Sequence, residues 1–323
     1  MKVCVIGHFS ENRMEGVRNV SKEIVNNLKN SGLTIFHLNI GIILPLKEIK
    51  KFNPDIIHFI LSPTIGGLLL AKITSIIFPK CIIVSSIHSS MRDSFFLRFL
   101  KPDLMFVQST ESEFFFKRYG YRTESLPNGV DIERFKPCDE TRKNELRKNL
   151  NIPAEKCVIL HLASLKKERN LAIFEKIQED PDCFVLIVGR ENDNSDPVVV
   201  TQLRNSGCTV LIKNIDRIED IYNVADCYVF PTIDKTACIE TPLSVLEAMS
   251  SNLPVITTKF GNLPRMFQSG DGLYWIEDFD HVHEYINLIK SKKERVNTRQ
   301  KVQIFSWKAI CTKICDYYEK VLY

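Results

Sequence analysis

The stretch FPTIDKTACIETPLSVLEAMSSNLPVITT (230–258) limits what this chain can fold into more than any other. Residues 226–230 are rich in β-formers and are stopped by Pro231, which predicts a strand. Leu246, Met249 and Leu253 fall at helical spacing, which predicts a helix over 242–251. Thr241 suits its N-cap, and Pro242 suits the first helical position, where the fixed φ of proline fits. Residues 253–258 read as the next strand. The whole is strand, loop, helix, strand: one parallel βαβ unit. Its loop aims the backbone N–H groups of Leu243, Ser244 and Val245 from the positive end of a helix, where a phosphate or diphosphate binds without any side chain. Glu240 sits just before the helix, facing a ligand. Glu247 lies two turns in, within reach of ribose hydroxyls. On these residues alone the pair has a second reading, as a helix-start acid and a surface acid.

The same alternation runs through the chain. Strands are expected over 2–7, 33–38, 55–60, 81–87 and 103–108 and near Ser125, with helices over 15–30, 64–78 and 110–119. A turn-rich connection, LPNGVDIERFKP (126–137), follows. After it the pattern restarts with strands at 157–163, 184–189 and 208–212 and helices at 169–178, 197–206 and 218–224. The chain closes with helices over 279–290 and 305–322. In the last, Trp307, Ile310, Ile314, Tyr317 and Val321 form one apolar face. The class is therefore α/β: two halves, each a parallel sheet covered by helices on both faces, with a ligand cleft expected between them. A length of 323 residues is enough for two cores.

Several functions are disfavoured. The net charge of +4 is modest and carries no long basic block, so no nucleic-acid partner is expected. There is no G-x-G-x-x-G and no G-x-x-x-x-G-K-[ST], against a dinucleotide or P-loop site. The ten cysteines have no C-x-x-C spacing and lie in expected strands and helices, so no metal site is expected and the thiols read as reduced, in a cytoplasmic protein. The start, MKVCVIGHFS, runs directly into a strand, so no signal peptide is expected. The apolar run 56–71 is broken by His58, Pro63 and two glycines, too short to span a bilayer.

Two further positions draw notice. Gly16 opens the first helix after a polar loop (8–14), where a glycine admits close approach of a ligand or merely eases a turn. His88 follows a strand at the sheet edge where open α/β folds bind ligands. The stretches 91–101 and 113–122 mix phenylalanine with arginine and lysine. They read first as core-facing rings flanked by solvated charges; contact with an anionic membrane surface is the alternative.

Taken together, 126–137, 230–258 and FSWKAICTKICDYYEKVL (305–322), with weaker support from PDIIHFILSPTIGGLLL (54–70), give the chain a clear resemblance. It resembles the retaining nucleotide-sugar glycosyltransferases of family 4 (group 1), which have the GT-B fold of two Rossmann-like domains. The resemblance implies an acceptor-side domain over 1–137, onto which 305–323 packs, and a donor domain over 138–304. It implies transfer of a sugar from a nucleotide diphospho-sugar to a hydroxyl of a glycan, lipid-linked or small acceptor. By the resemblance Glu240 contacts the donor sugar, Glu247 holds the ribose, the amides of Leu243, Ser244 and Val245 cradle the diphosphate, and Arg169 neutralises the leaving diphosphate. Gly16 approaches the donor phosphate, His88 touches the donor sugar, and backbone groups near Gly189 and Ile212 hold the base. No obligatory metal or other cofactor is implied; the cytoplasmic location expected from the cysteines stands beside it, with contact at the inner face of the membrane resting only on the aromatic-basic stretches as the alternative already named. The chain departs from the family pattern in three places. Six residues, not seven, separate Glu240 and Glu247. Ser164 stands where the family has arginine, with Lys166, or else Lys167, as the candidate replacement cation. The first loop has Glu15-Gly16 in place of paired glycines. These departures leave room for a catalytically inactive GT-B subunit, or for a nucleotide-sugar epimerase on the same fold.

Overall fold

The structure is a computed structural model that describes residues 1–9, 15–41, 44–88, 92–191 and 195–322. The chain divides into two compact units. The first comprises Met1–Gly129, Cys238–Pro242 and Phe305–Tyr323; the second comprises Val130–Ala237 and Leu243–Ile304. The expected boundary at 137 thus moves to 129, and five residues of the loop before helix Leu243–Ser250 belong to the first unit.

Among the described residues the first unit holds six strands: β1 (Lys2–Gly7), β2 (Thr34–Asn39), β3 (Ile56–Leu61), β4 (Cys81–Ser86), β5 (Leu104–Val107) and β6 (Thr123–Ser125). They pair in parallel in the order β2-β1-β3-β4-β5-β6. All six residues of β3 are buried, as an unbroken apolar run inside a sheet covered on both faces requires. Its one polar residue, His58, is held by the hydroxyls of Tyr318 (2.6 Å) and Ser85 (2.7 Å). Helix Trp307–Leu322 buries Trp307, Ile310, Cys311, Ile314 and Tyr318, and contacts helix Glu15–Asn30. Its apolar seam runs through Cys311 and Tyr318. The expected Tyr317 and Val321 lie at its half-buried margin, with the Tyr317 hydroxyl on Glu124 (2.8 Å).

The second unit holds β7 (Cys157–Leu162), β8 (Cys183–Gly189), β9 (Thr209–Ile212), β10 (Cys227–Phe230), β11 (Val255–Thr257) and β12 (Leu273–Trp275). Their parallel order is β12-β11-β10-β7-β8-β9. The order reverses between β7 and β10, so loops leaving these two neighbours depart to opposite faces and open a crevice at the carboxyl edge. One expected helix is broken: instead of 169–178, a 3-10 turn over Lys167–Arg169 precedes helix Ile173–Gln178. Asn170 between them takes a left-handed conformation (φ 56°), which asparagine tolerates and a continuing helix does not. Both units have the Rossmann-like build of the GT-B fold.

Candidate functional site

In the second unit the candidate residues gather at the carboxyl edge, around the β7/β10 reversal. The loop after β7 is tied down by its own backbone: Ala163 N–H donates to Val188 O (3.1 Å), and Asp196 N–H to Leu165 O (2.8 Å). Gly189 permits this packing. A Cβ there would stand 3.2 Å from Leu165 Cγ. Its carbonyl accepts from Lys213 N–H (3.1 Å), just after Ile212, which packs half-buried on the core. Asn170 Nδ2 reaches Pro231 O (3.5 Å), so the loop after β7 lies beside the loop after β10.

Arg169 ends the 3-10 turn and points inward, 8% exposed. Its Nη2 donates to Ser164 Oγ at 3.4 Å, and its Nε has no partner among the described residues. Lys166, three residues earlier, is exposed. A buried guanidinium with a vacant donor keeps an unmet demand for an acceptor oxygen, and for negative charge. Behind it, on β7, lies a residue the sequence reading passed over. His161 is fully buried, and its Nδ1 donates to Val229 O (2.9 Å). Burial, with the Arg169 charge adding in the same direction, lowers its pKa to about 3. The ring is therefore neutral and Nε2 is an acceptor. The signal was a single histidine in an otherwise apolar strand, CVILHL.

Helix Leu243–Ser250 follows β10, one residue beyond each end of the regular turns narrower than expected. Leu243 and Ser244 are half-buried at its start and Val245 is buried in the core. Glu247 accepts a 2.6 Å hydrogen bond from the hydroxyl of Tyr222, itself fully buried on helix Ile218–Asn223. That bond orients the carboxylate from below. Sequence spacing does not reveal it, because Tyr222 and Glu247 belong to different helices.

In the first unit Glu240 anchors the start of a helix. Its carboxylate is 1% exposed. It accepts from Ser109 N–H (3.2 Å), from the Ser109 hydroxyl (2.8 Å) and from the Ser112 hydroxyl. Ser109 is the N-cap of helix Thr110–Arg118, so the acid sits on the positive end of that helix. Its oxygens thus hold the helix start, a role that the sequence reading did not give it. The Glu240 N–H donates to Ile87 O (3.1 Å), which places it beside half-buried His88. Gly16 packs on the neighbouring residue, with its missing Cβ 3.2 Å from Ile239 Cδ1. Gly16, His88 and Glu240 therefore come together at the carboxyl edge of this unit. Residues 10–14 of the expected polar loop, and residues 89–91 after His88, lie outside the described residues. Among the described residues no group of three or more His, Cys, Asp or Glu is placed to hold a metal.

Comparison with known proteins gives the family. Residues 142–303, just over half of the chain, match the family described as glycosyl transferases group 1. The chain is 25% identical over 230 residues to the spore coat protein SA of Bacillus subtilis, covering 62% of this chain and 59% of that one. It is 27% identical over 310 residues to the sulfoquinovosyl transferase SQD2 of Arabidopsis thaliana, covering 83% of this chain and 57% of that one. The chain thus spans less than two thirds of these relatives. Among solved structures, Anabaena HepE in complex with UDP-glucose superposes with a TM-score of 0.75 at 16% identity, over 99% of this chain and all of the other. The fold is that of GT-B proteins. The chain belongs to the glycosyl transferases group 1 family.

Proposed function

We propose that the chain transfers a glycosyl group, with retention of configuration, from a nucleotide diphospho-sugar to a hydroxyl acceptor. The observation that carries this reading is Arg169: a buried cation with a vacant N–H, at the sheet reversal where α/β folds bind nucleotides. Family membership supplies the class of reaction, and the similarity to a fold that holds UDP-glucose in HepE is consistent with the donor. In the proposed scheme the diphosphate lies on the amides of Leu243, Ser244 and Val245. Glu247, oriented by Tyr222, takes the ribose hydroxyls. Backbone near Gly189 and Ile212 takes the base, and exposed Lys166 adds charge at the rim. As the anomeric C–O bond breaks, negative charge grows on the β-phosphate and Arg169 stabilises it without reorganising. The acceptor hydroxyl attacks on the face the leaving group vacates and gives its proton to a β-phosphate oxygen, so no strong protein base is needed. Glu240 acts as the anchor of 238–242. No metal takes part in the scheme.

The free state of all ten cysteines fits a reducing, cytoplasmic setting. Peripheral contact with a membrane belongs to the same proposal. No described helix is long and apolar enough to cross a membrane. One observation favours a second reading, a GT-B subunit that binds a sugar nucleotide without transferring it: the expected sugar-facing acid, Glu240, is occupied by Ser109 and Ser112. Slow hydrolysis of the donor without acceptor separates the two. The transferase releases nucleotide diphosphate, and Arg169→Ala slows release by ~10²-fold or more with the fold retained. Donor that binds but is never cleaved, with or without a panel of acceptors, identifies the binder.

A further inference from the structure

The first unit carries an apolar face that its own fold does not cover. Helix Ile65–Ile77 joins β3 to β4, the 3-10 turn Phe95–Phe99 joins β4 to β5, and helix Thr110–Arg118 joins β5 to β6. Three crossovers that step the same way across a parallel sheet lie on one face. The packing agrees, since Leu68, Ala71, Leu97, Leu100 and Phe116 share one core cluster. What these elements turn outward is therefore one continuous surface.

That surface is unusual in kind. On helix Ile65–Ile77 the outward positions are Ile65, Leu69, Ile73, Ile76 and Ile77, an exposed stripe opposite buried Leu68, Ala71 and Thr74. A helix on a water-facing surface normally shows polar residues there. Beside it Phe95, Phe96, Phe99 and Phe114 are 67%, 64%, 60% and 71% exposed. This corrects the reading of these rings as core, which holds only for neighbours such as Leu97 and Phe116. Nine of the fifteen large apolar side chains exposed among the described residues lie on this face. Scattered apolar residues are ordinary, but a concentration of this kind marks a contact surface.

Charge decides the occupant. Residues 65–122 contain eight lysines and arginines and four acids, which is the whole +4 net charge of the chain. Over 65–101 five basic residues face a single acid, Asp93, and Asp93 is engaged by Arg118 and by the Tyr119 hydroxyl (2.6 Å). Arg98 lies over the Phe95 ring at 6.0 Å, so cation and aromatic ring present together. A second copy of this face would meet like charge. An anionic bilayer meets both features: rings and aliphatic chains enter the headgroup boundary while lysines and arginines pair with lipid phosphates.

We propose that the outer face formed by Ile65–Ile77, Phe95–Phe99 and Phe114 docks on the surface of an anionic lipid bilayer. The proposal deepens the reading above by naming a partner, and does not depend on the transfer chemistry. The test is co-sedimentation of the full chain with vesicles of phosphatidylcholine alone and with phosphatidylglycerol added, at low and high salt. Nucleotide-sugar binding to the same samples reports on folding and on the transferase reading separately. The expected result is partition onto the anionic vesicles, weakened by salt and ~tenfold or more by Arg98→Glu with Lys101→Glu. Phe95→Ser with Phe96→Ser and Phe99→Ser, all at exposed positions, has a comparable effect. Absence of vesicle binding by the unmodified chain overturns the proposal, as does binding that both variants leave unchanged. Self-association that these variants abolish, without vesicle binding, assigns the face to a second copy and also overturns it.

Discussion

Replacing Glu240 by alanine should weaken the first unit far more than it weakens donor binding. The carboxylate is almost fully buried and takes three hydrogen bonds, two from Ser109 and one from Ser112, at the start of helix Thr110–Arg118. Hydrogen bonds to a charged acceptor are worth ~1.5–3 kcal/mol each, and a helix N-terminus adds ~0.3–1 kcal/mol for a nearby negative charge. The sum overstates the loss, because Ser109 still receives Ser112 N–H (3.1 Å) and both hydroxyls can turn to other acceptors. The expected cost is therefore ~3 kcal/mol. Glu240→Gln keeps the volume but sets an amide N–H₂ where an acceptor is needed, and should cost ~1–2 kcal/mol. The assay is urea unfolding followed by circular dichroism, with a double-mutant cycle against Ser112→Ala. A coupling of ~1–2 kcal/mol is expected for groups in direct contact. Titration calorimetry with the donor runs alongside. The reasoning is refuted by a variant that keeps its stability within ~0.5 kcal/mol yet loses donor affinity or transfer. That result would return Glu240 to the sugar.

Two glycines give an opposed pair of outcomes. A Cβ at Gly129 would lie 2.7 Å from Trp307 Cδ2 and 2.8 Å from its Cα, backbone that cannot yield, so Gly129→Ala should cost ~3 kcal/mol or prevent folding. Gly66, in the first turn of helix Ile65–Ile77, has nothing within 4 Å, and Gly66→Ala should raise stability by ~0.5–1 kcal/mol in the same urea unfolding assay. Acid should destabilise both units. Burial lowers the pKa of His58 and of His161 to about 3, below the ~6.5 of an unfolded histidine. The unfolded chain therefore binds more protons below that pH. Stability is lost as pH falls from ~6.5 toward 3, by at most ~1.4 kcal/mol per pH unit for each ring. A melting temperature that stays flat from pH 7 to 4.5 would contradict this.

The fold was legible because its signals are local and repeated. Short β-branched runs such as KVCVIG and CVILHL, alternating with amphipathic segments, leave little choice but parallel sheets, and eleven of the twelve described strands fall within about two residues of expectation; the three-residue edge strand Leu273–Trp275 was not anticipated. Where reading failed, the deciding interaction was distant. The turn at Asn170 depends on a conformation that no periodicity encodes. For Glu240 the helix-anchoring bonds were not legible, because its partners, Ser109 and Ser112, lie more than 120 residues away. The phenylalanines of 95–99 looked like core because hydrophobicity alone does not say which face of a connection turns inward. Arg169 was found through family resemblance, but its burial and vacant N–H are properties of the folded loop.

The most direct test of the account is a thermal-stability panel of nucleotide diphospho-sugars, free nucleotides and free sugars, on the unmodified chain and on Arg169→Ala. A ligand that binds only the folded state raises the midpoint, by ~2.7 kcal/mol of added stability at a hundredfold excess over Kd. The account predicts a shift with one nucleotide diphospho-sugar, a smaller shift with its nucleoside diphosphate, and loss of both in Arg169→Ala. No shift with any member of the panel, or an equal shift in Arg169→Ala, would contradict the claim that this edge binds a sugar nucleotide through Arg169.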